Sequence, residues 1–233
     1  MATPATPTVR PQEVGCEPAA PLLEPGDRLS RSEFERRYER MPLLKKAELI
    51  EGTVYMPSSI RTGRHAKPHS HLAGWLAVYV SETPGAECFV NSTVRLDLEN
   101  EPQPDLVLIK TPAQGGQTRI SHDDYLEGAP ELAVEIVGSS QAYDLHQKKR
   151  AYRRNGVREY LAWITGENRL VWWELREEEY QEILPAEDGL LKSGVFPGLW
   201  LDPAALLRAD LKSVFVALRR GLDSPEHRAF VAT

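Results

Sequence analysis

Three residues in the middle of the chain, Asp105, Glu135 and Lys148, are of the types that phosphodiester chemistry uses. Asp105 stands at the mouth of the apolar run 106–109, and Glu135 sits inside another, 132–137. A continuous apolar run reads as a strand covered on both faces. A carboxylate embedded in such a strand is costly to bury ionised, so it must be neutralised or held by a cation. Two carboxylates on neighbouring strands can share a divalent ion, and hard oxygen donors favour Mg²⁺ or Mn²⁺ over zinc. The backbone carbonyl of Ile136 is a further candidate ligand. An ion held there polarises a phosphodiester oxygen and lowers the pKa of a bound water. Lys148, in the helix expected after Gly138, can reach back to orient that water or to neutralise developing charge. Helical spacing puts Asp144, Lys148 and Tyr152 on one face, with Tyr152 as the support of the lysine. Plainer readings exist for each: a turn residue after proline for Asp105, a structural ion pair for Glu135, an exposed i,i+4 pair for Asp144 and Lys148.

Two further groups bear on anionic partners. Lys148, Lys149, Arg150, Arg153, Arg154 and Arg158 fall together with no acid among them. Of these, Lys149, Arg153 and Arg154 are candidate phosphate contacts, against the alternative of an ordinary solvated helix face. His65 and His69 lie four apart within a second basic stretch, but Pro68 and the lack of a helical Glu argue against a zinc site. They are candidates for touching substrate phosphate. Ser139 and Ser140 read as helix caps rather than nucleophiles, because no base follows at a recognised spacing. Trp172 and Trp173 read as packing or oligomer-interface residues.

The elements that must position these groups follow from periodicity and turn chemistry. Residues 1–26, rich in Pro, Ala and Thr, read as a flexible tail, and 27–233 as a single domain with a helical C-terminal portion. Ser30 and Ser32, each followed three residues later by Glu, predict a short helix through Tyr38. Residues 47–56 predict a strand pair turning at Glu51-Gly52. Leu72, Trp75, Leu76 and Tyr79 predict a helix over 69–80, started by Pro68. Strands are expected over 87–98 and 106–109, then a long loop over 111–128 and the strand bearing Glu135. A helix over 141–155 is closed by Asn155-Gly156. The stretches 159–164, 170–175 and 180–184 predict an antiparallel extension of the sheet, and helices close the chain. The class is mixed α/β.

Composition limits the alternatives. A chain of 233 residues with 41% apolar content and five Trp supports one sizeable core. A net charge of −6 excludes a protein coated in positive charge for nonspecific nucleic-acid binding. Two cysteines in unlike contexts, with no signal-peptide or transmembrane pattern, predict a reducing, cytoplasmic setting.

The ordered motifs ProAspLeuValLeuIle (104–109), GlyAlaProGluLeuAlaValGluIle (128–136), AspLeuHisGlnLysLysArgAlaTyr (144–152) and GlyValArgGluTyr (156–160) resemble the Uma-type endonuclease family. So does AlaGluLeuIleGluGly (47–52), and the likeness runs from about Leu43 to Leu207. This family belongs to the PD-(D/E)xK nuclease superfamily. The resemblance implies a restriction-endonuclease-like mixed β-sheet flanked by helices, and a Mg²⁺-dependent enzyme acting on DNA, with Mn²⁺ as substitute. It implies Asp105, Glu135 and Ile136 at the metal and an upstream acid, Glu48, with Glu51 as the second candidate. The superfamily lysine lies two residues after the strand acid, where this chain has Val137; Lys148 matches the family's relocated lysine, which requires the helix to pack against Glu135. By analogy with nucleases that pair to cut two strands, a homodimer is expected. The rival reading is a nucleic-acid- or partner-binding module that keeps the fold without turnover; a hydrolase acting on another substrate is a third.

Overall fold

In the computed structural model the described residues are 21–56, 62–138 and 143–232, with the side chains of Tyr143 and Asp144 outside that set. Residues 1–20, the caps expected at Ser139 and Ser140, and the side-chain pair of Asp144 with Lys148 therefore lie outside the described residues. In chain order the elements are α1 (Arg31–Tyr38), the hairpin β1 (Glu48–Ile50) and β2 (Thr53–Tyr55), α2 (Lys67–Ser81), β3 (Ala86–Val90), β4 (Val94–Arg95) and β5 (Leu106–Lys110). Then come β6 (Arg119–Ile120), β7 (Leu126–Glu127), β8 (Leu132–Val137), α3 (Lys149–Arg154), β9 (Glu159–Ile164), β10 (Arg169–Arg176) and β11 (Glu179–Glu182). The chain closes with β12 (Leu191–Lys192), β13 (Trp200–Leu201), α4 (Pro203–Leu207), α5 (Leu211–Leu222) and α6 (Pro225–Val231).

A six-stranded mixed sheet in the order β11-β10-β9-β8-β5-β3 is the frame. β8 is buried along its whole length, and its two faces carry different cores. Leu132, Val134 and Ile136 join Leu72, Trp75 and Leu76 of α2 and Val214 and Leu218 of α5. Ala133 and Val137 join Tyr152 of α3 and Tyr160 and Ala162 of β9. Period-two alternation therefore puts Glu135 on the α3 face. On the other face, Trp75 meets Trp172 edge-on at 5.8 Å and donates from its indole nitrogen to the Trp200 carbonyl at 3.0 Å.

Four expectations need correcting. The tail ends earlier than residue 26: Leu23 is buried with Phe34 and Leu49, and Gly26 N–H bonds to the Val54 carbonyl. Apolar burial and a backbone bond outweigh the Pro-rich composition there. The strand expected over 87–98 breaks into β3 and β4 at Asn91, whose φ of 52° leaves the extended region. The loop 111–128 contains β6 and β7, which pair with each other, and β7 pairs with β4 to make a small three-stranded sheet. Finally, β9 runs parallel to β8, and only β10 and β11 continue antiparallel. The helix between β8 and β9 returns the chain to the same end of the sheet, which makes the next strand parallel. Trp172 is a packing residue and Trp173 stacks on Tyr160 at 5.3 Å.

The β1–β2 hairpin is fastened to the body through an isolated bridge between Leu49 and Glu101. Glu101 is buried; desolvation, then the neighbouring Glu35, pushes its carboxyl up to about 9. A folded pKa above the unfolded value gives stability that is complete below about 4.5 and lost as pH rises toward 9. Glu101→Gln removes this loss, so the melting temperature of the variant relative to wild type should climb between pH 5 and pH 9 in thermal scans. A constant difference across that range would remove Glu101 as the cause.

Candidate active site

The strand register brings the two acids together. β5 pairs antiparallel with β8, Leu106 opposite Val134, and one more step in that register sets Asp105 opposite Glu135. Opposite residues in a ladder share a face. Asp105 Oδ2 accepts the Ile136 N–H at 2.6 Å, and Oδ1 accepts His65 Nε2 at 3.1 Å. Burial pushes the Asp105 carboxyl up, but the His65 hydrogen bond and charge and the Ile136 N–H outweigh it and hold the group below the usual range.

Lys148 is 1% exposed, and its ammonium lies 2.9 Å from Glu135 Oε1 and 2.8 Å from Glu48 Oε1. The Tyr152 hydroxyl donates to Glu135 Oε1 at 2.8 Å. A π-helical turn, Tyr143–Lys148, leads into α3, and the i,i+4 spacing of Lys148 and Tyr152 then points both at the sheet. Glu48 also accepts the Gln103 N–H at 2.6 Å, while Lys46 donates to the Gln103 carbonyl at 2.8 Å. Burial drives Glu48 up, and the Lys148 charge overcomes it to leave the carboxyl lowered. Burial likewise raises the Tyr152 phenol, so that it remains a donor. Glu51, the second upstream candidate, points away from this cluster and pairs instead with Arg150 at 2.7 Å and Arg154 at 3.6 Å.

The remaining candidates separate. His65 and His69 both serve Asp105, one through its carboxylate and the other through its carbonyl at 3.0 Å. Lys149 lies over the Trp173 ring, Arg153 pairs with Glu179, and Arg154 turns toward Glu51. The sequence reading missed the His65–Asp105 pair and the Gln103 N–H. It also missed two structural acids: Glu131 accepts the N–H groups of Lys110 and Gln117, and Glu159 accepts those of Gly194 and Val195. The four-residue step from His65 to His69 was the available signal for the first. Backbone donors leave none.

The donor chemistry suits a hard divalent cation: two buried carboxylates stand opposite each other in the ladder. Among the described residues no group of three His, Cys, Asp or Glu side chains stands at metal-holding spacing.

A family model described as "Putative restriction endonuclease" matches residues 31–204. The chain belongs to this family, Uma2. A crystal structure of "a putative nuclease belonging to DUF820" from Anabaena variabilis superimposes with a TM-score of 0.54 at 14% identity, over 78% of this chain and 97% of that one. The Uma2 chain thus has the restriction-endonuclease-like mixed sheet flanked by helices. No curated protein matches it. No helix among the described residues is long and apolar enough to cross a membrane.

Removing Lys148 leaves Glu48 and Glu135 buried against each other without their shared cation. Lys148→Met should cost about 3–5 kcal/mol of unfolding free energy at pH 7. Glu48's lowered pKa gives wild type stability that is present above about 4.5 and lost as pH falls through the folded value. The variant lacks that contribution, so its deficit should be smaller at pH 3, below about 4.5, than at pH 7. Urea unfolding at both pH values checks this; a small, pH-independent deficit would contradict it.

Proposed function

We propose that this Uma2 chain is a Mg²⁺-dependent endonuclease that hydrolyses DNA phosphodiester bonds, with Mn²⁺ as a substitute. The observation that carries the reading is the buried Lys148 ammonium on Glu135, one ladder step from Asp105, in a family described as restriction endonucleases. Asp105 and Glu135 would hold the ion, with the Ile136 carbonyl as a further oxygen. When bound, the ion supplies Lewis acidity and an acidified water.

The chain's own residues do the rest. Lys148 keeps positive charge beside the acids, where it can stabilise negative charge building on the phosphate. Glu48, fixed by the Gln103 N–H, orients that ammonium. Tyr152 holds Glu135 Oε1 by donating to it, which leaves the carboxylate a defined orientation. His65 does the same for Asp105 and, with His69, stands at the mouth of the site where phosphate would enter. The basic side of α3, Lys149, Arg153 and Arg154, faces the DNA backbone. The reading includes a cytoplasmic enzyme acting as a homodimer, the arrangement that lets one site address each strand.

The test is cleavage of plasmid, linear and branched DNA with Mg²⁺, Mn²⁺ or EDTA. Wild type should cut with either metal and not in EDTA, and Asp105→Asn and Glu135→Gln should be inactive. Lys148→Met, assayed at a temperature where it is folded, should lose about 10²–10³-fold in rate. Lys148→Arg should recover little, because a planar guanidinium does not replace a compact ammonium. Absence of cutting by wild type on every substrate with both metals would replace the enzyme with a binding module.

A further inference from the structure

Lys148 and Lys149 are neighbours on one helical turn but serve opposite sides of it. Lys148 goes to the acids, whereas Lys149 lies 3.8 Å over the Trp173 ring and 5.9 Å over that of Tyr180. It borders a cleft of about 520 Å³ between α3 and the β10–β11 hairpin. Four cationic side chains, Lys149, Arg150, Arg153 and Arg169, line this cleft with one carboxylate, Glu179, on a chain whose net charge is −6. His146 lines it as well.

Lys149 presents its ammonium to this cleft over two aromatic rings. Its ammonium is partly desolvated, and burial pulls its pKa down. Glu182 and Glu179 act on it through charge alone, without a hydrogen bond. The aromatic faces offset part of the desolvation, but a phosphate would offset more. The two arginines are available to help. Arg153 rests on Glu179, which is 70% exposed, and Arg169 rests on Glu167 at 3.0 Å in another exposed pair. Exposed pairs of this kind are worth little and exchange readily for a better partner.

We propose that this cleft binds the phosphodiester backbone of a DNA strand, with Lys149 as the anchor and Arg153 and Arg169 as its walls. The identity of the strand as DNA rests on the nuclease reading; the anion site rests on the cleft. Trp173 has Tyr160 stacked at 5.3 Å and carries Lys149 over its ring, so the ring is already occupied and a base has no open stacking platform there. Recognition is therefore of phosphates, not of bases, and is blind to sequence. Because α3 carries both lysines, a strand held by Lys149 lies along the helix that presents Lys148 to the acids.

The experiment is fluorescence anisotropy of the full chain with labelled duplex and single-stranded DNA of about 20 nucleotides, in EDTA so that no cutting occurs. Lys149→Gln/Arg153→Gln/Arg169→Gln should weaken binding by about 10-fold or more at low salt and flatten the log–log salt slope by roughly 2–3. The loss should be equal for unrelated sequences. Arg219→Gln, an exposed pair partner of Glu82, should bind as wild type does. In wild type, DNA should also protect Lys149 from acetylation, read by mass spectrometry. Unchanged affinity and slope in the triple variant, a loss confined to one sequence, or an unprotected Lys149 would overturn the proposal. A chain that binds through the cleft and cuts nothing with Mg²⁺ loses the nuclease reading alone. One that cuts while the triple variant binds normally loses the cleft alone.

Discussion

A lysine ammonium buried to 1% exposure between two carboxylates is the constraint on which the rest of this structure depends. Charges removed from water are tolerated only with close partners and satisfied hydrogen bonds. Here the partners come from three separate elements: Glu48 on β1, Glu135 on β8 and Lys148 at the junction with α3. The hairpin bearing Glu48 could not hold its place alone, since two short strands are marginal by themselves. It is held by the cluster of Leu23, Phe34, Leu49 and Val54, by the Leu49–Glu101 bridge, and by the 2.6 Å bond from Gln103 N–H to Glu48 itself. The segment 21–56 thus brings one carboxylate to that ammonium.

That arrangement couples the acids electrostatically. Glu48 and Glu135 share the Lys148 ammonium, and Asp105, opposite Glu135 across the ladder, is held by His65 and a backbone N–H. The charge of Lys46 also acts on Glu48 and on Asp105, and Coulomb interactions are strong where the effective dielectric constant is low. The Tyr152 hydroxyl and the main-chain donors fix where the carboxylate oxygens point, which limits how a cation can approach.

Much of this was legible in the sequence, for a physical reason. Period-two alternation put Glu135 among apolar neighbours, and burial made it an acid in need of a cation. Asp105 preceded a second apolar strand, and i,i+4 spacing joined Lys148 to Tyr152. What the sequence hid depends on contacts between distant segments. Glu131 and Glu159 are as buried as Glu135, yet they hold backbone N–H groups of remote loops, and Glu159 is pushed by burial up to about 7. Nothing local separates a structural acid of that kind from a chemical one. The parallel direction of β9 depended on where α3 returned the chain, and the partnership of His65 with Asp105 on how the turn before α2 met the end of β5. Asn91 gave only a weak signal, because one residue at positive φ suffices to end a strand.

Placing the lysine on the helix changes what the site depends on. Two residues after Glu135 on the strand stands Val137, on the same face, packed with Tyr152 and Tyr160. A lysine there would have to cross that apolar cluster to reach the acids. From α3 the ammonium instead approaches over the strand, and Val137 is free to pack beneath the helix. The cost is that the site exists only while α3 is docked, since Lys148 and Tyr152 share Glu135 Oε1 and leave it together. The π-helical turn at 143–148 suits this role, because its wider winding adjusts the phase at which the helix meets the sheet. Geometry at the acids and the position of α3 are therefore one variable, and anything that shifts the helix shifts the charge at the site.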